Sequence, residues 1–112
     1  MNFWEYQNQS SRTLNKNRSM AEQLSNYCMG LAGESGEVVD ELKKVLFHGH
    51  DLNIDEIEKE LGDVLWYVSA VATTLGIELN MIAHNNVEKL KARYPEGFSE
   101  KDSVERKELD QC

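Results

Sequence analysis

Proline occurs once in this 112-residue chain, at Pro95, and cysteine only twice, at Cys28 and Cys112. With so little proline, nothing interrupts long helices, and no stretch alternates β-branched with polar residues as a strand does. The cysteines lie far apart and match no metal or redox spacing, so reduced thiols in a cytosol are expected. No apolar run approaches the roughly 20 residues that cross a bilayer. The N-terminus, MNFWEYQNQSSRTLN, lacks the basic and apolar regions of a signal peptide. A cytoplasmic protein without membrane contact is the expectation. Basic residues are scarce too: 12 Lys and Arg stand against 20 Asp and Glu, a formal net charge of −8. That balance argues against stable binding to a nucleic-acid backbone. A protein this acidic handles a polyanion only through a cation or a local basic cluster.

Helical signals fill the chain. Asn2 is positioned to cap a first helix from about Phe3 to Leu14. Ser19-Met-Ala-Glu22 is a capping box that opens a long helix reaching roughly Phe47. His48-Gly49-His50-Asp51 breaks the pattern, and Asn53-Ile-Asp-Glu56 is a second capping box, opening a helix that runs to Leu75 before Gly76. A fourth helix runs from Leu79 or Asn80 to Arg93, stopped by Tyr94-Pro95. The fold expected is an all-α domain over residues 1–98. It is a bundle of about four helices with two long antiparallel core helices. A charged tail over 99–112 is expected to fray. Gly30, Gly33 and Gly36 each cost about 1 kcal/mol in a helix interior, which predicts close approach of another backbone or a local kink. A core from so short a chain is modest, so assembly as a dimer or tetramer is expected. Trp66, outside the main apolar sector, would be exposed in a monomer and points the same way.

Acidic residues carry the chemical information. Glu34 and Glu37 on the long helix, and Glu60 and Asp63 on the next, stand at i and i+3, which puts each pair on one face. Wound at about 100° per residue, Leu31, Val38, Val39, Leu42, Val45 and Leu46 form one apolar sector, with Glu34, Glu37 and Glu41 along its edge. On the following helix Glu56, Glu60 and Asp63 line the matching edge of a sector built from Ile57, Leu61, Val64, Leu65 and Val68. Antiparallel packing brings both edges to one groove. Two solvated acidic faces are the plainer reading of either pair alone. Four acids in matched phase call for a hard divalent cation, and magnesium suits an all-oxygen set. No Glu-x-x-His pair is present for a di-iron bundle, and His48, His50 and His84 read as loop or surface residues.

Asn86, Lys89 and Arg93 share a face of the fourth helix, and Lys44 continues the acidic stripe by a turn. Exposed cations of an ordinary amphipathic helix are one reading. The other is the local basic cluster, with Lys and Arg on phosphate oxygens and Asn86 on a sugar or base.

L-A-G-E-S-G-E followed by K-E-L-G-D-V-L-W-Y resembles the E-x-x-E…E-x-x-D signature of the MazG-like, all-α nucleoside triphosphate pyrophosphohydrolases. N-V-E-K-L-K-A-R-Y-P-E-G-F, Asn86 to Phe98, is similar to the family's C-terminal block, and F-W-E-Y-Q…R-T to the opening of its single-domain members. The resemblance implies homodimers or homotetramers. It also implies magnesium, with manganese as a substitute, held by Glu34, Glu37, Glu60 and Asp63, which are the catalytic acids. The reaction implied is hydrolysis of a nucleoside triphosphate to monophosphate and pyrophosphate. Lys44 (or Lys43), Lys89 and Arg93 become phosphate contacts, and Asn86 (or Asn85) a nucleoside contact. A non-catalytic nucleotide-binding or regulatory dimer, and the same chemistry on phosphoribosyl-ATP or an alarmone, stay open as alternatives.

Overall fold

Each helix begins where a polar side chain satisfies amides that the helix itself leaves free. The computed structural model describes residues 1–106. Asn2 accepts from the Glu5 amide at 2.8 Å and starts α1, Phe3–Ser10. Ser19 and Glu22 close a reciprocal capping box at the head of α2, Met20–Phe47. Asn53 accepts from the Glu56 amide at 3.2 Å and opens α3, Ile54–Thr74. The return half of that box does not form, because the Glu56 carboxylate pairs with Lys59 at 3.3 Å. Glu78 gives α4, Leu79–Arg93, no side-chain cap. Gln7 of α1 supplies it instead. Its Oε1 accepts from the Leu79 amide at 2.8 Å, while its Nε2 donates to Thr73 Oγ1 at 3.0 Å and to the Ile77 carbonyl at 2.9 Å. One glutamine thereby pins α1 across the turn at Gly76, whose φ of +73° ends α3.

Two boundaries differ from the sequence expectation. The first helix stops at Ser10 and tightens into a 3₁₀ turn over Ser11–Thr13. Ser10, Ser11 and Thr13 hydroxyls bond back to the carbonyls of Gln7, Asn8 and Ser10, and that competition ends regular α-helix early. The expected frayed tail contains α5, Glu100–Glu105, capped by Ser99 on the Asp102 amide at 3.0 Å. Glu100 and Asp102 in its first turn suit the helix dipole. The rest of the tail, with Cys112, lies outside the described residues, and Cys28 is an exposed free thiol.

The long helices α2 and α3 form an antiparallel hairpin. Rising positions on α2 meet falling positions on α3: Tyr27 stands edge-on to Trp66 at 5.7 Å between ring centroids, Gly30 lies under Tyr67, and Glu34 faces Glu60. Of the three spaced glycines only Gly30 is closely approached, and by a ring, not a backbone. Cβ atoms at Gly33 or Gly36 would meet nothing within 4 Å. Trp66 is also corrected. The N-terminal segment covers it within one chain, its indole N–H donating to Thr13 Oγ1 at 3.0 Å and its ring edge-on to Tyr67. It is thus partly covered within one chain.

Among the described residues full burial is confined to Tyr27, Ser69, Ala70, Ala72 and Leu79, around the end of α3 that α1 and α4 cover. Toward the hairpin tip, among the described residues, Val39 and Leu46, assigned to the core by periodicity, are 65% and 71% exposed. The radius of gyration, 17.2 Å, exceeds the roughly 13 Å of a compact domain this long. Among the described residues no single helix is long and apolar enough to cross a membrane.

Gly30→Ala should lower unfolding stability by about 1–3 kcal/mol, since its methyl must displace the Tyr67 ring. Gly33→Ala, in open space, should raise stability by roughly 0.5–1 kcal/mol. Denaturant melts of both, with Tyr67→Ala partly relieving the first, check the contact. Equal effects at the two glycines would refute it.

Candidate metal centre

Glu34 from α2 and Glu60 and Asp63 from α3 each offer a carboxylate oxygen, and these oxygens all lie within 4.8 Å of one another. Glu60 and Asp63 share a face because they are one turn apart. Glu34 joins them because it lies one turn beyond the Gly30–Tyr67 contact on the antiparallel partner. Glu34 and Glu60 are half-buried and Asp63 is exposed. The Glu60 carboxyl is held above the usual range, first by its hydrogen bond with Glu34, then by burial and the charges of Glu34, Asp63 and Glu41. Carboxylates crowded in this way repel one another, and a cation among them would relieve that repulsion. The cluster's donors are all carboxylate oxygens, with no nitrogen or sulfur, and that set fits a hard divalent ion such as magnesium.

Other expected residues fall elsewhere. Glu37, one turn further along α2, is exposed and outside the group, while Glu41 is half-buried and close enough to repel charge on Glu60. Lys44 is engaged by Asp40 at 3.0 Å, and Lys43 holds the same carboxylate at 3.0 Å. Hydrogen bonds from Lys44 and Lys43 lower the Asp40 pKa, and the same bond to Asp40 raises that of Lys44. Such an exposed pair exchanges readily for another anion. His48, His50 and His84 are exposed and take no part in the group.

The basic face of α4 stands apart from the acids. α3 and α4 bend by 107° at their junction, and α4 packs chiefly on α1. At 1.5 Å per residue, Lys89 and Asp63 sit along two legs of about 15 Å, which separates them by roughly 20 Å. Asn86 and Lys89 are exposed, and among the described residues neither bonds to the acids. Arg93 is half-buried at the last turn of α4.

Tyr6 of α1 escaped the sequence reading. Its phenol pKa is raised by burial and then by the Asp63 charge, so the N-terminal helix reaches the cluster. Nothing in the spacing of α1 signals this, because the approach depends on how α1 docks on α3.

An acid cluster at the seam of a helical hairpin defines a class of all-α site suited to a hard cation. The model of the MazG nucleotide pyrophosphohydrolase domain matches residues 22–98, spanning all three clustered acids and α4, and the chain belongs to that family. It is similar to the Gene 37 protein of Mycobacterium phage L5, 39% identical over 80 residues, covering 68% of this chain and 70% of that protein. No solved structure matches the chain.

Glu60→Gln keeps the shape and removes one charge. In EDTA this variant should melt at or above the parent. With magnesium at 100 times its Kd the parent gains about 2.7 kcal/mol, and the variant should lose most of that rise, whereas Glu58→Gln, outside the cluster, should retain it. An unaltered magnesium response in Glu60→Gln would show that these acids are only a solvated face.

Proposed function

We propose that the chain hydrolyses nucleoside triphosphates, ribo or deoxy, to the monophosphate and pyrophosphate. The observation that carries this reading is the convergence of Glu34, Glu60 and Asp63 within a chain of the nucleotide pyrophosphohydrolase family. These three would hold magnesium, or manganese in its place, with Glu37 on the next turn completing the set. Such an ion would supply neutralisation of phosphate charge and a lowered pKa for a water. A carboxylate left uncommitted, with Glu41 the nearest further candidate, orients the attacking water and accepts its proton. Lys89 and Arg93 neutralise the phosphates, Lys44 exchanges Asp40 for a phosphate oxygen, and Asn86 contacts the nucleoside. No covalent nucleophile is required.

A backbone separation of roughly 20 Å puts Lys89 near the limit of what could grip one triphosphate together with the acids of the same chain. A second copy would shorten that reach by presenting its α4 to the acid groove. The half of the hairpin that needs cover supports the same assembly. Val39, Leu42, Leu46 and Leu61 leave an apolar strip open beside the acids, and removing it from water stabilises a dimer or a tetramer.

Incubation with mixed triphosphates and magnesium should release pyrophosphate and monophosphate, not orthophosphate, and EDTA should stop it. Binding without pyrophosphate release would mark a regulatory nucleotide binder. Glu60→Gln and Lys89→Ala should each lower kcat/KM by about 10²-fold. Co-expressed in one cell, they should restore about a quarter of parental activity, because half the dimers carry one intact site in two. A monomeric mass by light scattering, or no restoration, would place the site within one chain.

A further inference from the structure

Glu34, Glu60 and Asp63 come from two helices, so neither a cap nor the spacing within one helix fixes the distance between them. Contact between α2 and α3 does. The three ligand oxygens all lie within 4.8 Å of one another. Asp63 has a single methylene between backbone and carboxylate, so it joins that group only where the two helices run close together. A close approach stands one turn away, at Gly30 and Tyr67. Gly30 precedes Glu34 by four residues and Tyr67 follows Asp63 by four. Each pair therefore shares a helix face, turned by about 40° and displaced by about 6 Å along the axis.

A Cβ at residue 30 would overlap Cε1 and Cζ of the Tyr67 ring. That ring has little room to yield. Trp66 stands edge-on to it at 5.0 Å between centroids. Trp66 is itself held by Tyr27, edge-on at 5.7 Å, and by Thr13 Oγ1, which accepts from the indole N–H at 3.0 Å. A side chain at residue 30 is therefore accommodated by moving the helices apart. Axial separations of packed helices vary over about 2 Å with the side chains at their contact.

We propose that Gly30 and Tyr67 are a positioning pair that sets the width of the acid cluster, and with it a preference for magnesium over calcium. This role rests on the cation reading above and adds what selects the ion. Magnesium takes its oxygens at about 2.0–2.1 Å and calcium at about 2.3–2.6 Å, and cavity size and rigidity discriminate between them. The two ions thus differ by a few tenths of an ångström per bond, less than the shift that a methyl group at a helix contact can impose. Gly33 is nearer to Glu34 in sequence, yet a Cβ there meets nothing within 4 Å, so the chain supplies its own control.

Isothermal titration of the full chain with magnesium and with calcium chloride, without nucleotide, reads the preference directly. Gly30→Ala should weaken magnesium about tenfold, the loss typical when a group supporting a metal ligand is altered. Calcium should stay within about twofold, so the ratio of the two affinities falls about fivefold or more. Gly33→Ala should keep both affinities. Gly30→Ala combined with Tyr67→Ala removes the ring that the methyl meets and should regain most of the preference. Tyr67→Trp enlarges the ring against an unchanged Gly30, should shift the ratio the same way, and decides the matter if Gly30→Ala does not fold. Each titration is made below the melting transition of that variant, and Glu60→Gln gives the background from other carboxylates. Equal weakening of both ions would show that the pair acts through stability alone and would overturn the proposal, as would an unchanged ratio or a parent that favours calcium. A parent that binds neither ion removes the cation reading itself, a failure distinct from loss of selectivity, and this role falls with it.

Discussion

Tyr67 lies over Gly30 where α2 and α3 face each other, and a side chain at Gly30 would overlap its ring. Trp66 stands edge-on to both Tyr27 and Tyr67, an arrangement worth about 0.5–1.5 kcal/mol per pair beyond the area it buries. This aromatic knot determines which turn of α2 meets which turn of α3. The acids follow from it. One turn toward the hairpin tip from Gly30 is Glu34, and one turn in the corresponding direction from Tyr67 is Asp63, with Glu60 a turn beyond. A slip of α2 against α3 by a single residue would rotate Glu34 by about 100° and take it out of the cluster.

Assembling three carboxylates at that seam costs electrostatic free energy, and the Glu60 carboxyl is held above its usual range by Glu34 beside it, then by burial and the charges of Asp63 and Glu41. The same repulsion would favour a divalent cation, whose binding would relieve the crowding as well as form metal–oxygen contacts. Hydrophobic packing elsewhere has to offset that repulsion, and within one chain it is thin. Among the described residues full burial is limited to Tyr27, Ser69, Ala70, Ala72 and Leu79. An acid site at the less covered half of the hairpin therefore stands next to the surface with most to gain from a partner.

The N-terminal helix was the least readable element and turns out to connect several parts. Gln7 makes three hydrogen bonds to residues 66 to 72 positions away, Ser10 shares one with buried Ser69 at 3.2 Å, and Thr13 receives the Trp66 indole. None of these residues sits in a hydrophobic period, and each partner is distant in sequence. Single-chain patterning carries no trace of such contacts, because it records only which residues recur on one face.

The order of the first four helices and most of their boundaries were written in local chemistry, whereas α5 was not expected. Ser19 with Glu22, Asn53, Gly76 and Pro95 act within one turn of themselves, so their effect is fully present in the sequence. The acidic edges of α2 and α3 were legible for the same reason, since i and i+3 positions share a face in any helix. Which of the four acids meet was decided by tertiary structure. Glu34, Glu60 and Asp63 converge and Glu37 does not, because the offset between two helices depends on the Gly30–Tyr67 fit and not on either helix alone. The position of α4 was decided there too. Its basic face is periodic in the sequence, yet the 107° bend at Gly76 and the Gln7 bonds carry it away from the acids. Covering of Trp66 by the N-terminal segment is a third such outcome. Periodicity places a residue around one helix axis, and only packing between axes places it in space.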